Sequence, residues 1–190
     1  MLKILKNSLM LLYITISVFS CSGQSNNDAF SAFLENFENT QLPLNAIEFI
    51  ANREANFNTK EILEIDFNKY LREKEDTYWK FEEFFEYRYG GKLKVDNIWV
   101  VFYSRHFVPD DVFVQKGEFI LTTFSLSGEL ISSLPIAGGY GDSLTFSSVI
   151  SDFKDIEINF TFYQNDKKSN YTRSYFMANG GAFKSKPDNK

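Results

Sequence analysis

Phe30, Phe33, Leu34 and Phe37 recur at i, i+3, i+4 and i+7, the spacing that one buried face of a helix requires. Asn27 or Asp28 can cap its start, and Pro43 prevents its continuation. Leu63, Phe67, Tyr70 and Leu71 share a face in the same way, which predicts a second helical stretch from Thr59 to Lys74. Between the two, Leu42 to Ile50 reads equally as an extended segment or a short helix. Residues 72–89 mix charges with rings, from Glu73 and Tyr78 to Glu86 and Tyr87, without one clean period, so helix, strand or both fit.

Gly90-Gly91 punctuates the chain, and beyond it the period changes to two. Ile98 to Tyr103 is continuously apolar, as a central strand buried on both faces would be. Glu118 to Leu126 and Leu130 to Ile136 are strand-like runs around a hairpin tip at Ser127-Gly128. Ile156, Ile158, Phe160 and Phe162 alternate strictly with Glu157, Asn159, Thr161 and Tyr163, a strand with one wet face. Asn165-Asp166-Lys167-Lys168 turns it, Tyr171 to Ala178 returns, and Asn179-Gly180-Gly181 ends the return. Sequential strands joined by tight turns predict an antiparallel meander over about residues 92–184, with a helical part over about 28–89 packed on it. The expected fold class is α+β, in one domain spanning 28–190.

The first twenty residues do not belong to that domain. Lys3 and Lys6 precede an apolar run, Leu9 to Phe19, broken only by Thr15 and Ser17. Eleven residues at about 1.5 Å each cover about half of a hydrocarbon core, so the segment is too short for a permanent span and reads as an export signal. Val18-Phe19-Ser20-Cys21 resembles the lipobox of bacterial lipoproteins, which implies cleavage before Cys21 and diacylglycerol on its thiol. An ordinary signal peptide with an incidental cysteine is the alternative. The position of Cys21 directly after the apolar run, with polar Ser22 to Asn27 following, favours the lipid anchor over a tether of residues 21–27. Two or three acyl chains hold a protein to a membrane firmly, where one does not.

Charge sharpens this picture. The whole chain has 20 basic and 25 acidic residues and a formal net charge of −5. Without residues 1–20, 18 bases face 25 acids and the net becomes −7. An acidic body is repelled by anionic headgroups, so acyl chains rather than a basic patch must hold it, and phosphate-driven nucleic-acid binding is not expected. One cysteine and one histidine leave no disulfide framework and no His-cluster metal site, so neither a metal nor another cofactor is expected.

With helices first, the hairpin FILTTFSLSGELISSLPI, then Ser148-Val149-Ile150, IEINFTF, a basic turn and YFMANGGAF, the pattern over residues 90–184 resembles small lipoproteins of Bacteroidetes-type bacteria that have no assigned activity. The resemblance implies a cell-envelope setting and supplies no functional residues. Asp142-Ser143-Leu144 is also similar to the short O-glycosylation signal of exported proteins in that group.

Few residues offer local chemistry. His106 has Asp110 and Asp111 near it in sequence, but nothing positions a nucleophile, so it reads as a strand-end histidine. Glu82 and Glu86 would share a helical face with Glu83 beside them; Lys80 and Arg88 are adjacent counterions, and the group reads as solvated. Gly138, Gly139, Tyr140, Gly141 and Asp142 lack the basic residue and following helix of a phosphate cradle and read instead as a contact loop. Asp152, Asp155 and Glu157 match no calcium-loop spacing. Tyr140, Tyr163, Tyr171, Tyr175 and Trp99 could line a groove with sugar-stacking faces.

No catalytic residue is assigned on this basis. The expected function is a non-catalytic binding or interaction module, anchored through Cys21 to the periplasmic face of the outer membrane, with an envelope protein or glycan as partner. An immunity protein covering a basic secreted toxin is the runner-up, and a carboxylate-dependent hydrolase the third reading.

Overall fold

The computed structural model describes residues 25–46, 60–73, 81–107, 116–140, 143–165 and 167–187. Strand dominates them. Helix α1 is Ser25–Glu35, and α2 is the single turn Glu64–Asp66, which runs on as a π-helical stretch, Phe67–Leu71. Ten strands follow or flank these: β1 (Glu38–Asn39), β2 (Leu44–Asn45), β3 (Phe85–Val95), β4 (Ile98–Phe107), β5 (Lys116–Ser125), β6 (Leu130–Tyr140), β7 (Leu144–Ile150), β8 (Ile156–Gln164), β9 (Lys167–Met177) and β10 (Phe183–Ser185). They form one sheet in the order β1-β3-β4-β5-β6-β7-β8-β9-β10, with β2 paired to β7.

The expected α+β class is thereby overturned. Among the described residues of 28–89, helix is limited to α1 and the short stretch from Glu64 to Leu71, and the ring-rich end of that region runs into the strand β3, Phe85 to Val95. The alternating rings Phe85, Tyr87 and Tyr89 favour a pleated surface, and pairing with the apolar β4 decides in favour of strand. Gly90-Gly91 does not punctuate the chain either. It is a bulge inside β3, where the register with β4 shifts between Tyr89 and Lys92. The Phe102 ring presses on this bulge: a Cβ on Gly90 would lie 2.5 Å from its Cδ2, and one on Gly91 would meet the same ring.

The periodicity of α1 does hold: Phe30, Phe33, Leu34 and Phe37 are all buried. Their rings meet Phe124, Tyr89 and Tyr70, the Phe33–Tyr70 pair stacking at 4.3 Å. The end of the helix is secured by polar contacts. The Asn36 side-chain amide donates to the carbonyls of Ala32 and Phe33, and Lys92 Nζ donates to that of Leu34 at 2.6 Å, placing a cation at the negative end of the helix. The second expected helix is much shorter than Thr59–Lys74. Its π-helical winding, with Arg72 N–H donating to Phe67 C=O, turns Phe67 and Leu71 inward, while Leu63 precedes the helix in extended conformation and is 58% exposed.

Two apolar clusters share the central strand β4. Val101 and Tyr103 face α1, Phe67, Leu71, Tyr87 and Tyr89, whereas Val100 and Phe102 face Leu121, Ile136, Phe146, Ile150, Ile156 and Ile158. The second cluster exists because the sheet curls until β7 and β8 cover the inner face of β4 and β5. Near its far end, Thr123 Oγ1 donates to Gly181 C=O at 2.8 Å and Phe183 N–H to Ser132 Oγ at 3.3 Å, tying the β9–β10 region back to β5 and β6. Full burial of each large apolar side chain contributes about 1.5–3 kcal/mol, so these clusters are where the fold's stability resides.

Candidate functional site

The curl covers β8 only in part. Ile156 and Ile158 are buried, Phe160 is half-buried, and Phe162 is 37% exposed on the same face. The strand keeps its alternation and stays paired to β7 as far as Leu144 opposite Phe162, but no described residue buries the Phe162 face. The end of the β8–β9 hairpin, here called the arm, carries this open face, and every described residue from Phe162 to Arg173 is exposed. Asn165, with φ of +50°, makes the two-residue turn between Gln164 and Lys167.

The two faces of the arm differ. One carries a row of rings, each opposite the next across the strands. Phe146 on β7 stacks on Phe160 at 5.4 Å, and Phe160 stacks on Tyr171 at 4.7 Å with the ring planes 2° apart. Phe162 stacks diagonally on Tyr171 at 5.7 Å, and the Arg173 guanidinium lies 5.6 Å from the Tyr171 centroid and 6.0 Å from that of Phe160. The row thus runs from the buried Phe146 to open solvent. The opposite face is polar: Thr161 donates to Asn170 Oδ1 at 3.0 Å and Thr172 donates to Asn159 Oδ1 at 2.7 Å. These two pairs sit at positions where opposed side chains approach most closely, which makes the arm rigid without a core.

A second polar cluster lies in the body. Arg105 Nε donates to Glu118 Oε2 at 2.6 Å, with Nη2 at 2.5 Å from the same oxygen, both side chains being almost wholly buried. The pair sits on adjacent positions of β4 and β5, with the Phe85 ring 5.2 Å from the guanidinium. Tyr103, two residues along the same face, is fully buried, and its hydroxyl has no hydrogen-bond partner among the described residues. The Tyr87 hydroxyl accepts from Glu82 N–H. Burial pushes the phenols of Tyr103 and Tyr87 up, and both stay neutral at neutral pH. Glu118 is thus held by a buried guanidinium, with neutral phenols beside the pair.

The residues singled out from sequence are dispersed. Cys21, Gly141 and Asp142 lie outside the described residues, as do Asp110 and Asp111. Gly138, Gly139 and Tyr140 are the last residues of β6, paired to β5 on one side and to β7 on the other. A Cβ on Gly138 would lie 2.6 Å from Gly117 C=O and 2.8 Å from the Phe146 ring, which is why glycine stands at this crossing. Glu86 is on β3 beside Arg88, with which it forms an ion pair, while Glu82 and Glu83 precede the strand, so no helical face unites the three. His106 is opposite Glu86 on β4. Asp152 accepts from the N–H groups of Lys154 and Asp155 in a tight turn, and Asp155 pairs with Lys186. Among the tyrosines, Tyr163 and Tyr171 lie on opposite faces of the arm, while Trp99 and Tyr175 pack against different clusters, so these four do not form one groove.

Sequence reasoning passed over Phe160, Phe162 and Arg173 by counting them as ordinary strand residues. The missed signal is in β9. Opposite the apolar face of β8 it supplies Ser169, Tyr171 and Arg173, a composition suited to a wet surface. Among the described residues there is no group of three or more metal-ligating side chains, and no helix is long and apolar enough to cross a membrane. The chain matches no protein-family model, no curated protein and no solved structure.

Proposed function

We propose that the protein is a lipid-anchored, non-catalytic interaction module of the bacterial cell envelope, held through Cys21 at the periplasmic face of the outer membrane, and that the β8–β9 arm is the surface it presents. The observation that carries this reading is the stacked row Phe160–Tyr171–Phe162, half-buried at Phe160 and exposed at Tyr171 and Phe162, with Arg173 across it. Aromatic rings provide large contact area at small entropic cost, and a guanidinium beside them adds directional polar contacts. Together they make the composition of an interface centre. The signal-like residues 1–20 and the lipobox-like Val18-Phe19-Ser20-Cys21 support the anchor.

In-cell photocross-linking tests the arm. A photoreactive side chain at position 162 is expected to capture one discrete envelope partner, and the same group at Glu129, on the β5–β6 turn, to capture none. Equal adducts from both positions, or none from 162, would remove the arm from the account. Metabolic labelling with a fatty-acid analogue tests the anchor: wild type takes the label and Cys21→Ala does not.

A further inference from the structure

We propose that the outer edge of β9, from Lys168 to Thr172, receives an extended acidic peptide segment of a partner as an added strand. This rests on the reading of the arm as the partner surface and names the kind of partner.

The geometry starts from the β9–β10 contact. Lys186 N–H donates to Ser174 C=O, so the backbone groups of Ser174 point away from β8. Antiparallel pairing alternates which residues bond inward, and Ser174 is opposite Glu157 in the register that also sets Thr172 opposite Asn159 and Asn170 opposite Thr161. Lys168, Asn170 and Thr172 therefore share the outward direction of Ser174. Strand β10 covers β9 at Tyr175, Phe176 and Met177 and then ends at Ser185. Beyond it three residues present outward N–H and C=O groups, all of them exposed. The far side of the sheet is closed differently: Ile62 N–H donates to Tyr87 C=O and Tyr89 N–H to Lys60 C=O, so that edge of β3 is already filled.

Charge selects the occupant. From Lys167 to Met177 the strand has three bases and no acid, in a chain whose net charge is −5. A second copy of the chain fits poorly. The one antiparallel register that pairs all three free positions with themselves centres on Asn170 and sets Lys167 directly against Arg173, and like charges so opposed repel. An acidic strand meets the opposite situation. Lys167 and Arg173 lie six residues apart on the ring-bearing face, about 20 Å at a strand's rise, with Tyr171 between them. A segment with carboxylates at both ends and apolar residues between them would match those three positions, while its main chain supplies the affinity.

The test uses the full chain in detergent and the capped peptide Glu-Thr-Val-Thr-Val-Thr-Glu, read by amide hydrogen exchange. Binding is expected to slow exchange at Lys168, Asn170 and Thr172 by about tenfold or more. N-methylation of alternate peptide residues should abolish that protection, as should Asn170→Pro, a substitution that an edge strand tolerates. Lys167→Glu with Lys168→Glu should weaken the acidic peptide and admit its lysine counterpart. The proposal is overturned if millimolar peptide protects none of the three amides, if the lysine peptide binds wild type equally well, or if the amides are already protected in the free chain, which would mean the chain itself fills the edge. Discrete cross-links from position 162 without peptide protection would leave the arm as partner surface and defeat strand addition alone; loss of both would defeat the arm as well.

Discussion

Strands β4 and β8 carry the same kind of message and end in different circumstances. Both alternate or run apolar for most of their length. Yet Val100 to Tyr103 are buried on both faces, whereas the apolar face of β8 is buried at Ile156 and Ile158 and open at Phe162. The difference does not lie in the strands. It lies in what comes to cover them: α1 and the 60–73 segment on one side of β4, the curled second half of the sheet on the other, and nothing among the described residues over the end of β8. A hydrophobic pattern states what a surface can bury, and the rest of the chain decides whether it does so internally or leaves it for another molecule.

If the body is the sealed half, truncation there should be severe. Phe124→Ala, which empties the space under Phe30 and Phe33, is expected to cost about 3–5 kcal/mol by urea unfolding. Glu118→Gln removes the carboxylate charge from the buried Arg105–Glu118 pair and should cost a similar amount, about 3–5 kcal/mol. Replacing both partners, Arg105→Met with Glu118→Leu, should recover most of that loss. A double variant as weak as the single would show that the pair does more than compensate itself.

Alkaline pH probes the same half. Burial raises the phenols of Tyr103, Tyr89 and Tyr87, and for Tyr89 the hydrogen bond donated to Asp66 adds to the effect. In the unfolded chain these tyrosines ionise near about pH 10, while the folded chain keeps them protonated. The stability they contribute is fully present below that pH and is lost as pH rises above it, because the unfolded state then releases protons that the folded state retains. Tyr103→Phe should make this fall shallower. At neutral pH it should also stabilise the protein by about 1 kcal/mol, since it removes a buried hydroxyl that has no partner among the described residues. The smallest effect belongs to the arm: Phe162→Ser should change stability by about 0.5 kcal/mol or less, the range of an exposed position.

The helical face of Phe30 to Phe37 and, within Ile98 to Tyr103, the double burial of Val100 to Tyr103 were legible because each is a local pattern with a single interpretation. Residues 81–95 were not. There Phe81 and Phe84 obscure the alternation of Phe85, Tyr87 and Tyr89, and pairing with β4 across the Gly90-Gly91 bulge, a tertiary contact, decides the conformation. The extent of the second helix failed for a related reason: Leu63 fits the helical period, but the backbone there is still extended and the helix starts only at Glu64. Of the candidate surface, the contrast between apolar β8 and polar β9 was written in the sequence. The stacking of Phe160 on Tyr171 required the register, and the register is set by the turn at Asn165.

The division between a sealed body and a presenting arm is tested most directly by one triple variant, Phe162→Ser with Tyr171→Ser and Arg173→Ser. Its urea midpoint should be measured beside its cross-linking yield from position 163. A midpoint close to wild type, with stability changed by about 1 kcal/mol or less, together with loss of the discrete partner adduct, is the predicted result. A loss of several kcal/mol would make the ring row part of the core, and an undiminished adduct would place the partner surface elsewhere; either result would contradict the account.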